Sequence, residues 1–279
     1  MTMKQKSIIL AAFLFIVATF AANAARVDTL TVHSNAMKKN ITVMVVRPNV
    51  HKKEYPTVYL LHGYGDSYGK GKANGYLENA SVRNYVDWTG TIAVIPNADG
   101  SWYFDSPVDP HVRYETFVSK ELVTYIDKHY PTIRRREGRA VTGLSMGGHG
   151  ALYLAIRHQG TFGAAGSMSG GVDFRPFPEK WNLKNVLGEE KTHKKIWDEH
   201  TVIAQLPLLK AGALKIIVDC GTEDFFYKVN MELHEDLVRR GIPHEFTTRP
   251  GVHNWHYWQR SLRDHFFFFY DYFHAHGEE

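Results

Sequence analysis

A short run of small and β-branched residues, Ala140-Val141-Thr142, leads into Gly143-Leu144-Ser145-Met146-Gly147, and the stretch from Gly147 to Ala155 continues as a small-residue helix. A strand that turns this sharply into a helix forces its central residue into a strained backbone conformation, and only glycine at the flanking positions lets the two elements approach. The chain is therefore bound to present Ser145 on a strand-to-helix turn, with its hydroxyl exposed at the top of a sheet and the helix N-terminus beneath it.

The remaining sequence alternates strand-like and helix-like runs, which predicts an α/β fold: a mostly parallel central sheet with helices on both faces. Thr29 to Val32 and Ile41 to Arg47 read as an opening hairpin, and Thr57 to Leu61 and Ile92 to Pro96 as buried strands. Ala164 to Met168, Leu214 to Cys220 and Phe246 to Arg249 complete the strands; Phe117 to Tyr130 and Met231 to Arg240 carry apolar residues at helical spacing. The phenylalanine-rich tail from Phe266 to Phe273 reads as a buried final helix. From Phe174 to Leu209 the pattern dissolves into Pro-, Trp- and Lys-containing sequence too long for a simple connection, so an insertion over the site, with helical pieces, is expected within one domain.

The first 24 residues have a basic start (Lys4, Lys6), an apolar run from Ile8 to Phe20 and a small-residue end at Ala22-Asn23-Ala24, the layout of a cleavable secretory signal. That run is shorter than the roughly 20 residues a membrane span needs. Residues 25–279 are then expected as a single exported domain, periplasmic or secreted, with no stable membrane insertion after cleavage. Loss of the two lysines lowers the formal charge from +4, which speaks for neither a nucleic-acid nor an anionic-surface partner. Arg134-Arg135-Arg136 reads as a solvated turn. With Cys220 as the single cysteine, an internal disulfide and a thiolate metal cluster are both excluded.

A serine nucleophile needs a base to take its proton and a carboxylate to orient that base. The strand ending at Cys220 runs into Gly221-Thr222-Glu223-Asp224, which puts a carboxylate at the sheet's carboxyl edge. Asp224 is the expected acid and Glu223 the alternative; Asp219, inside the strand, should face a helix. The last strand runs into Pro250-Gly251-Val252-His253-Asn254-Trp255, making His253 the expected base among 16 histidines. Donors for a developing oxyanion are expected from the backbone N–H of Met146 and from that of Tyr64 in the glycine-rich turn Leu61-His62-Gly63-Tyr64-Gly65, with His62 bracing the turn. Trp102, Tyr103 and Trp255 are the aromatic residues placed to line the substrate, with surface packing as the alternative for Trp102 and Tyr103 and a core role as that for Trp255. His253 and His256 have the spacing of a metal pair, but on a turn and without an acidic third ligand, and Asn97-Ala98-Asp99-Gly100 lacks the ligands of a calcium loop, so no metal and no organic cofactor are expected.

Taken together, Leu61-His62-Gly63, Gly143-Leu144-Ser145-Met146-Gly147-Gly148, Gly221-Thr222-Glu223-Asp224 and Gly251-Val252-His253-Asn254-Trp255 resemble the esterase D-like branch of the α/β-hydrolases, in the order found there. That branch includes S-formylglutathione hydrolases, feruloyl and acetyl-xylan esterases, short-chain esterases and mycolyl transferases, and the resemblance runs from about Val27 to about Phe273. It implies an α/β-hydrolase fold, with Ser145, Asp224 and His253 at the triad positions and Tyr64 and Met146 at the oxyanion positions. The activity then expected is removal of acetyl, feruloyl or similar acyl groups from small-molecule or polysaccharide esters. An acyltransferase, an S-formylglutathione-type thioesterase and, outside enzymes, a carbohydrate-binding module that has lost catalysis are the competing readings.

Overall fold

Strands covered by helices on both faces carry apolar side chains on both faces, and the central strands here divide theirs residue by residue. In the computed structural model, which describes residues 24–66 and 75–276, the strands are β1 (Arg26–Ser34), β2 (Lys39–Arg47), β3 (Thr57–Leu61), β4 (Ile92–Pro96), β5 (Arg139–Leu144), β6 (Ala164–Met168), β7 (Lys215–Gly221) and β8 (Glu245–Arg249). They form one sheet in the order β1-β2-β4-β3-β5-β6-β7-β8. β1 and β2 form the opening antiparallel hairpin, β2 joins β4 antiparallel, and every later pairing is parallel. The secretory leader expected over 1–24 lies, up to residue 23, outside the described residues. No helix among the described residues is long and apolar enough to cross a membrane.

The helices are α1 (Gly75–Asn79), α2 (Val82–Thr89), α3 (114–129, with a π-helical stretch over Phe117–Leu122), α4 (Met146–Arg157), α5 (Leu183–Leu187), α6 (Glu190–Glu199), α7 (Val202–Gln205), α8 (Tyr227–Arg239) and α9 (Trp255–His276). Tyr59, Val94, Val141, Ala165 and Val218 face the layer that contains α3, α4 and α8, whereas Val58, Ala93, Ala140, Ala164 and Ile217 face α2 and α9. In α9, Phe266, Phe268, Phe269 and Phe273 are buried and Phe267 is exposed, as one apolar face of a surface helix requires. α8 starts four residues earlier than its apolar spacing predicts. The carboxamide of Asn230 donates to the carbonyls of Phe226 and Gly170, which fastens that first turn to the sheet edge.

The segment 174–209 folds into α5, α6, α7 and a 3₁₀ turn at Leu206–Leu208. Its anchors are Phe174 and Trp197, both fully buried, with the Trp197 indole N–H donating to Gly188 O at 2.9 Å. Thr201 caps α7 by accepting from Ala204 N–H. In the arginine cluster, Arg134 and Arg135 face solvent, but Arg136 is partly buried and donates to the carbonyls of Phe162 and Ala213.

Candidate active site

The expected turn at Ser145 is built by exclusion of side-chain volume. A Cβ on Gly143 would lie 2.4 Å from the backbone of Gly147, and one on Gly147 would lie 1.9 Å from Leu61 O, so β3, β5 and α4 touch backbone to backbone. Ser145 itself has φ 55° and ψ −119°, a region costly for any residue with a side chain. Hydrogen bonds hold it from both ends: its N–H donates to Met168 O at 3.0 Å, and its C=O accepts from the N–H groups of His149 and Gly171, each at 3.1 Å. The turn therefore aims the side chain away from α4 and over the carboxyl edge of the sheet.

β7 and β8, adjacent and parallel, deliver the next two side chains. Thr222 N–H donates to Arg249 O at 3.0 Å and Glu223 N–H to Gly251 O at 3.1 Å, tying the loop after β7 to the loop after β8. Across this tie His253 Nδ1 lies 2.8 Å from Asp224 Oδ2, and His253 Nε2 lies 2.8 Å from Ser145 Oγ. The Asp224 side chain is fully buried and its Oδ1 accepts from Phe226 N–H at 2.8 Å, while the His253 side chain is 14 % exposed. With Nδ1–H donating to the carboxylate, Nε2 is left to accept from the serine hydroxyl, an arrangement able to move a proton from Oγ to the imidazole. Glu223, the alternative acid, is exposed. Asp219 faces α9, where it accepts from His265 Nε2 at 2.9 Å and from Ser261 Oγ.

The loop after β3 passes beside Ser145: a Cβ on Gly63 would lie 3.5 Å from Ser145 Cβ. It closes as a turn in which Asp66 N–H donates to Gly63 O at 3.2 Å with Gly65 at φ 87°, the left-handed position that favours glycine. His62 braces it from below, its Nδ1 2.7 Å from Gly63 O and its Nε2 accepting from Ala98 N–H at 2.9 Å; burial lowers its pKa, consistent with the neutral tautomer this needs. Met146 is the first residue of α4, so its N–H has no intrahelical acceptor. The turn that carries Tyr64 and the first residue of α4, Met146, thus approach Ser145 from two elements.

Of the aromatic residues expected along the substrate, Trp102 and Tyr103 are buried, and Trp255 is partly buried beside the loop that carries His253. Trp102 and Tyr103 are 1 % and 0 % exposed, because the loop after β4 folds inward through left-handed backbone at both positions. The Trp102 ring packs on His149, Phe174 and Trp181, and Tyr103 OH donates to His62 O at 3.1 Å. Trp255 is half-buried against Tyr76 and Trp258. Instead Phe225, 48 % exposed, covers the His253 ring at a centroid distance of 4.2 Å, and Trp181 from the insertion stacks on Phe225. The sequence carried one signal for this: Phe225-Phe226 directly follows Asp224. Burial drives the His149 pKa down to about 3, which keeps this histidine, one helical turn after Ser145, a neutral part of the packing. Among the described residues no three His, Cys, Asp or Glu side chains converge as ligands for a metal ion.

The chain is 24 % identical over 262 residues to an acetyl esterase of Caldicellulosiruptor saccharolyticus, covering 84 % of this chain and 94 % of that one. It is 25 % identical over 277 residues to a diacylglycerol acyltransferase/mycolyltransferase of Mycolicibacterium smegmatis, covering 85 % and 82 % of the two. The structure of a ferulic acid esterase superposes with a TM-score of 0.76 at 28 % identity, over 89 % of this chain and 98 % of that one. The profile of the family described as "Putative esterase" matches residues 34–269, and with most of its length so matched the chain belongs to that esterase family and has the α/β-hydrolase fold.

Proposed function

We propose that the protein is a serine carboxylic-ester hydrolase that works through an acyl-serine intermediate. The observation that carries this reading is the chain Asp224–His253–Ser145, two contacts of 2.8 Å ending on a serine held in strained backbone. Ser145 Oγ attacks the ester carbonyl as His253 Nε2 takes its proton, and the carboxylate of Asp224 stabilises the imidazolium. The N–H groups of Met146 and Tyr64 receive the negative charge that develops on the carbonyl oxygen, an electrostatic contribution that commonly dominates such sites. The C–O bond to the alcohol then breaks and the alcohol leaves with the proton from His253. Water, deprotonated by the same histidine, releases the acid and frees Ser145.

The substrate class in this reading is an acylated carbohydrate or small-molecule ester with an acetyl, feruloyl or similar acyl group. The acetyl esterase and ferulic acid esterase similarities support it. Reaction outside the cytoplasm is part of the same reading and rests on the leader-like residues 1–24. The test is hydrolysis of p-nitrophenyl esters from acetate to octanoate, together with methyl ferulate, by the mature protein and by Ser145→Ala. Turnover abolished by the substitution is expected; equal turnover by both proteins would overturn the assignment. The mycolyltransferase similarity favours a second reading, transfer of the acyl group to an alcohol, which a product assay with added alcohol acceptor separates from hydrolysis.

A further inference from the structure

Phe225 is a large apolar side chain that stays half in solvent while its ring lies against the imidazole of His253, 4.2 Å between centroids. Trp181 extends that surface, stacked on Phe225 at 5.7 Å with planes 23° apart, and Phe177 meets both rings. The insertion holds Trp181 there at conformational cost. Trp181 and Asn182 have successive φ values of 52° and 54°, left-handed backbone that strains residues with side chains. The Trp102 indole N–H, donating to Trp181 O at 3.3 Å, and the Phe226 ring, 5.1 Å from that of Trp181, fix the position. An aromatic shelf half in solvent at Phe225, backed by a partly buried Trp181 kept in strained backbone, points to a ligand that covers it.

The reaction geometry says which half of an ester that ligand is. The leaving oxygen must come within about 3 Å of His253 Nε2 to receive its proton, so the group attached to it passes beside the imidazole. The carbonyl oxygen points the other way, toward Met146 and Tyr64 N–H. Resting on the serine-hydrolase reading above, we propose that Phe225 and Trp181 form the subsite for the leaving alcohol, and that this alcohol is a pyranose, whose C–H face lies on the two rings. Aromatic faces carry negative charge density that attracts such polarised C–H groups, and an open shelf leaves the sugar's hydroxyls in water. In the step itself the bond from the acyl carbon to Ser145 Oγ forms, the bond to the sugar oxygen breaks, and the serine proton travels through His253 to that oxygen.

The experiment compares two acetates with the same acyl group, ethyl acetate and a mono-acetylated methyl glucopyranoside, on wild type, Phe225→Ala, Trp181→Ala and Phe225→Tyr. Loss of a ring contact should lower kcat/KM for the sugar acetate about tenfold, mostly through KM, in both alanine variants. The loss on ethyl acetate in these variants should be at least about threefold smaller than that on the sugar acetate, and Phe225→Tyr should retain the sugar preference. Equal losses on both esters, or losses that instead track acyl-chain length in a series of ethyl esters, would overturn the proposal while leaving the hydrolase reading intact. Hydrolysis of neither acetate, nor of any p-nitrophenyl ester, by wild type would overturn both.

Discussion

Replacing Gly147 by alanine adds one methyl group where α4 lies closest to β3. That Cβ would fall 1.9 Å from Leu61 O, 2.5 Å from Leu61 C and 2.8 Å from His62 O. A comfortable carbon–oxygen contact is about 3.3 Å, so helix and strand must part by about 1.4 Å at this point. Neither side yields readily: Leu61 is registered with Gly143 in the β3–β5 ladder, and its carbonyl also accepts from Tyr76 OH at 2.9 Å. Helix propensity alone would favour alanine by about 1 kcal/mol. Overpacking costs about 1–3 kcal/mol, and disturbing the Tyr76 hydrogen bond about 1 kcal/mol more. A net loss of about 2 kcal/mol is expected. The second effect is on rate. Leu61 and His62 lead straight into the Gly63–Asp66 turn, so in the proposed mechanism the same displacement draws Tyr64 N–H away from the carbonyl oxygen, and losing one oxyanion donor costs about 10²–10³ in kcat. Urea unfolding and p-nitrophenyl acetate kinetics on Gly147→Ala and on Gly160→Ala test this. Gly160 has no atom within 4 Å of the added Cβ and no left-handed φ, so its variant should match or slightly exceed wild-type stability with unchanged kcat. A Gly147→Ala protein as stable and as fast as wild type would refute the argument from close approach.

Three further outcomes follow from the site and its supports. Asp224→Asn should lower kcat by about 10⁴ through the wrong histidine tautomer, while Glu223→Gln stays within about threefold of wild type; comparable losses in the two would reassign the acid. Asp219→Ala strips His265 and Ser261 of their buried acceptor and should cost about 3–5 kcal/mol in urea unfolding, and a loss under about 1 kcal/mol would remove this cluster as the fastening of α9. Burial lowers the His149 pKa from its ordinary 6.5 to about 3, so between those pH values the unfolded chain binds a proton that the folded one refuses. Stability from this residue is complete above pH 6.5 and falls on acidification by up to about 1.4 kcal/mol per pH unit. His149→Leu should flatten the urea-derived stability profile across that window, and an unchanged slope would count against it.

What the residues reveal in advance depends on how local the controlling forces are. The strands of the sheet were legible because burial on both faces demands runs such as Val58-Tyr59-Leu60-Leu61, and the turn at Ser145 because glycine is the residue that fits between β3, β5 and α4. Asp224 and His253 were legible as residues one turn beyond a strand end, a position set by chain order alone. The direction of the aromatic side chains was not. Trp102 and Tyr103 sit on a loop at the correct sheet edge, but their direction depends on left-handed backbone at both positions and on contacts with His149, Phe174 and His62, residues remote in sequence. The packing of Phe225 and Trp181 beside His253 was illegible for the mirror reason: it is set by how the segment 174–209 folds, and no periodicity announces that.

Backbone strain gathers where those loops meet. Of the described non-glycine residues with positive φ, Asp99, Trp102, Tyr103, Ser145, Ser169, Trp181 and Asn182 all follow the carboxyl ends of β4, β5 or β6, and Lys38 alone lies in the opening hairpin. Such positions cost on the order of 1–3 kcal/mol each and persist only where surrounding contacts dictate them. The contacts are present: Tyr114 OH donates to Asp99, the Trp102 indole N–H to Trp181 O, Tyr103 OH to His62 O and the backbone N–H of Ser169 to Asp219 O. Each bond runs from one loop to a different strand, loop or helix. The strained positions are thereby held from neighbouring elements, and Trp102 and Trp181 are tied directly to each other. A site built this way is organised before substrate arrives, so the folding energy of the core supplies the orientation that binding would otherwise have to provide.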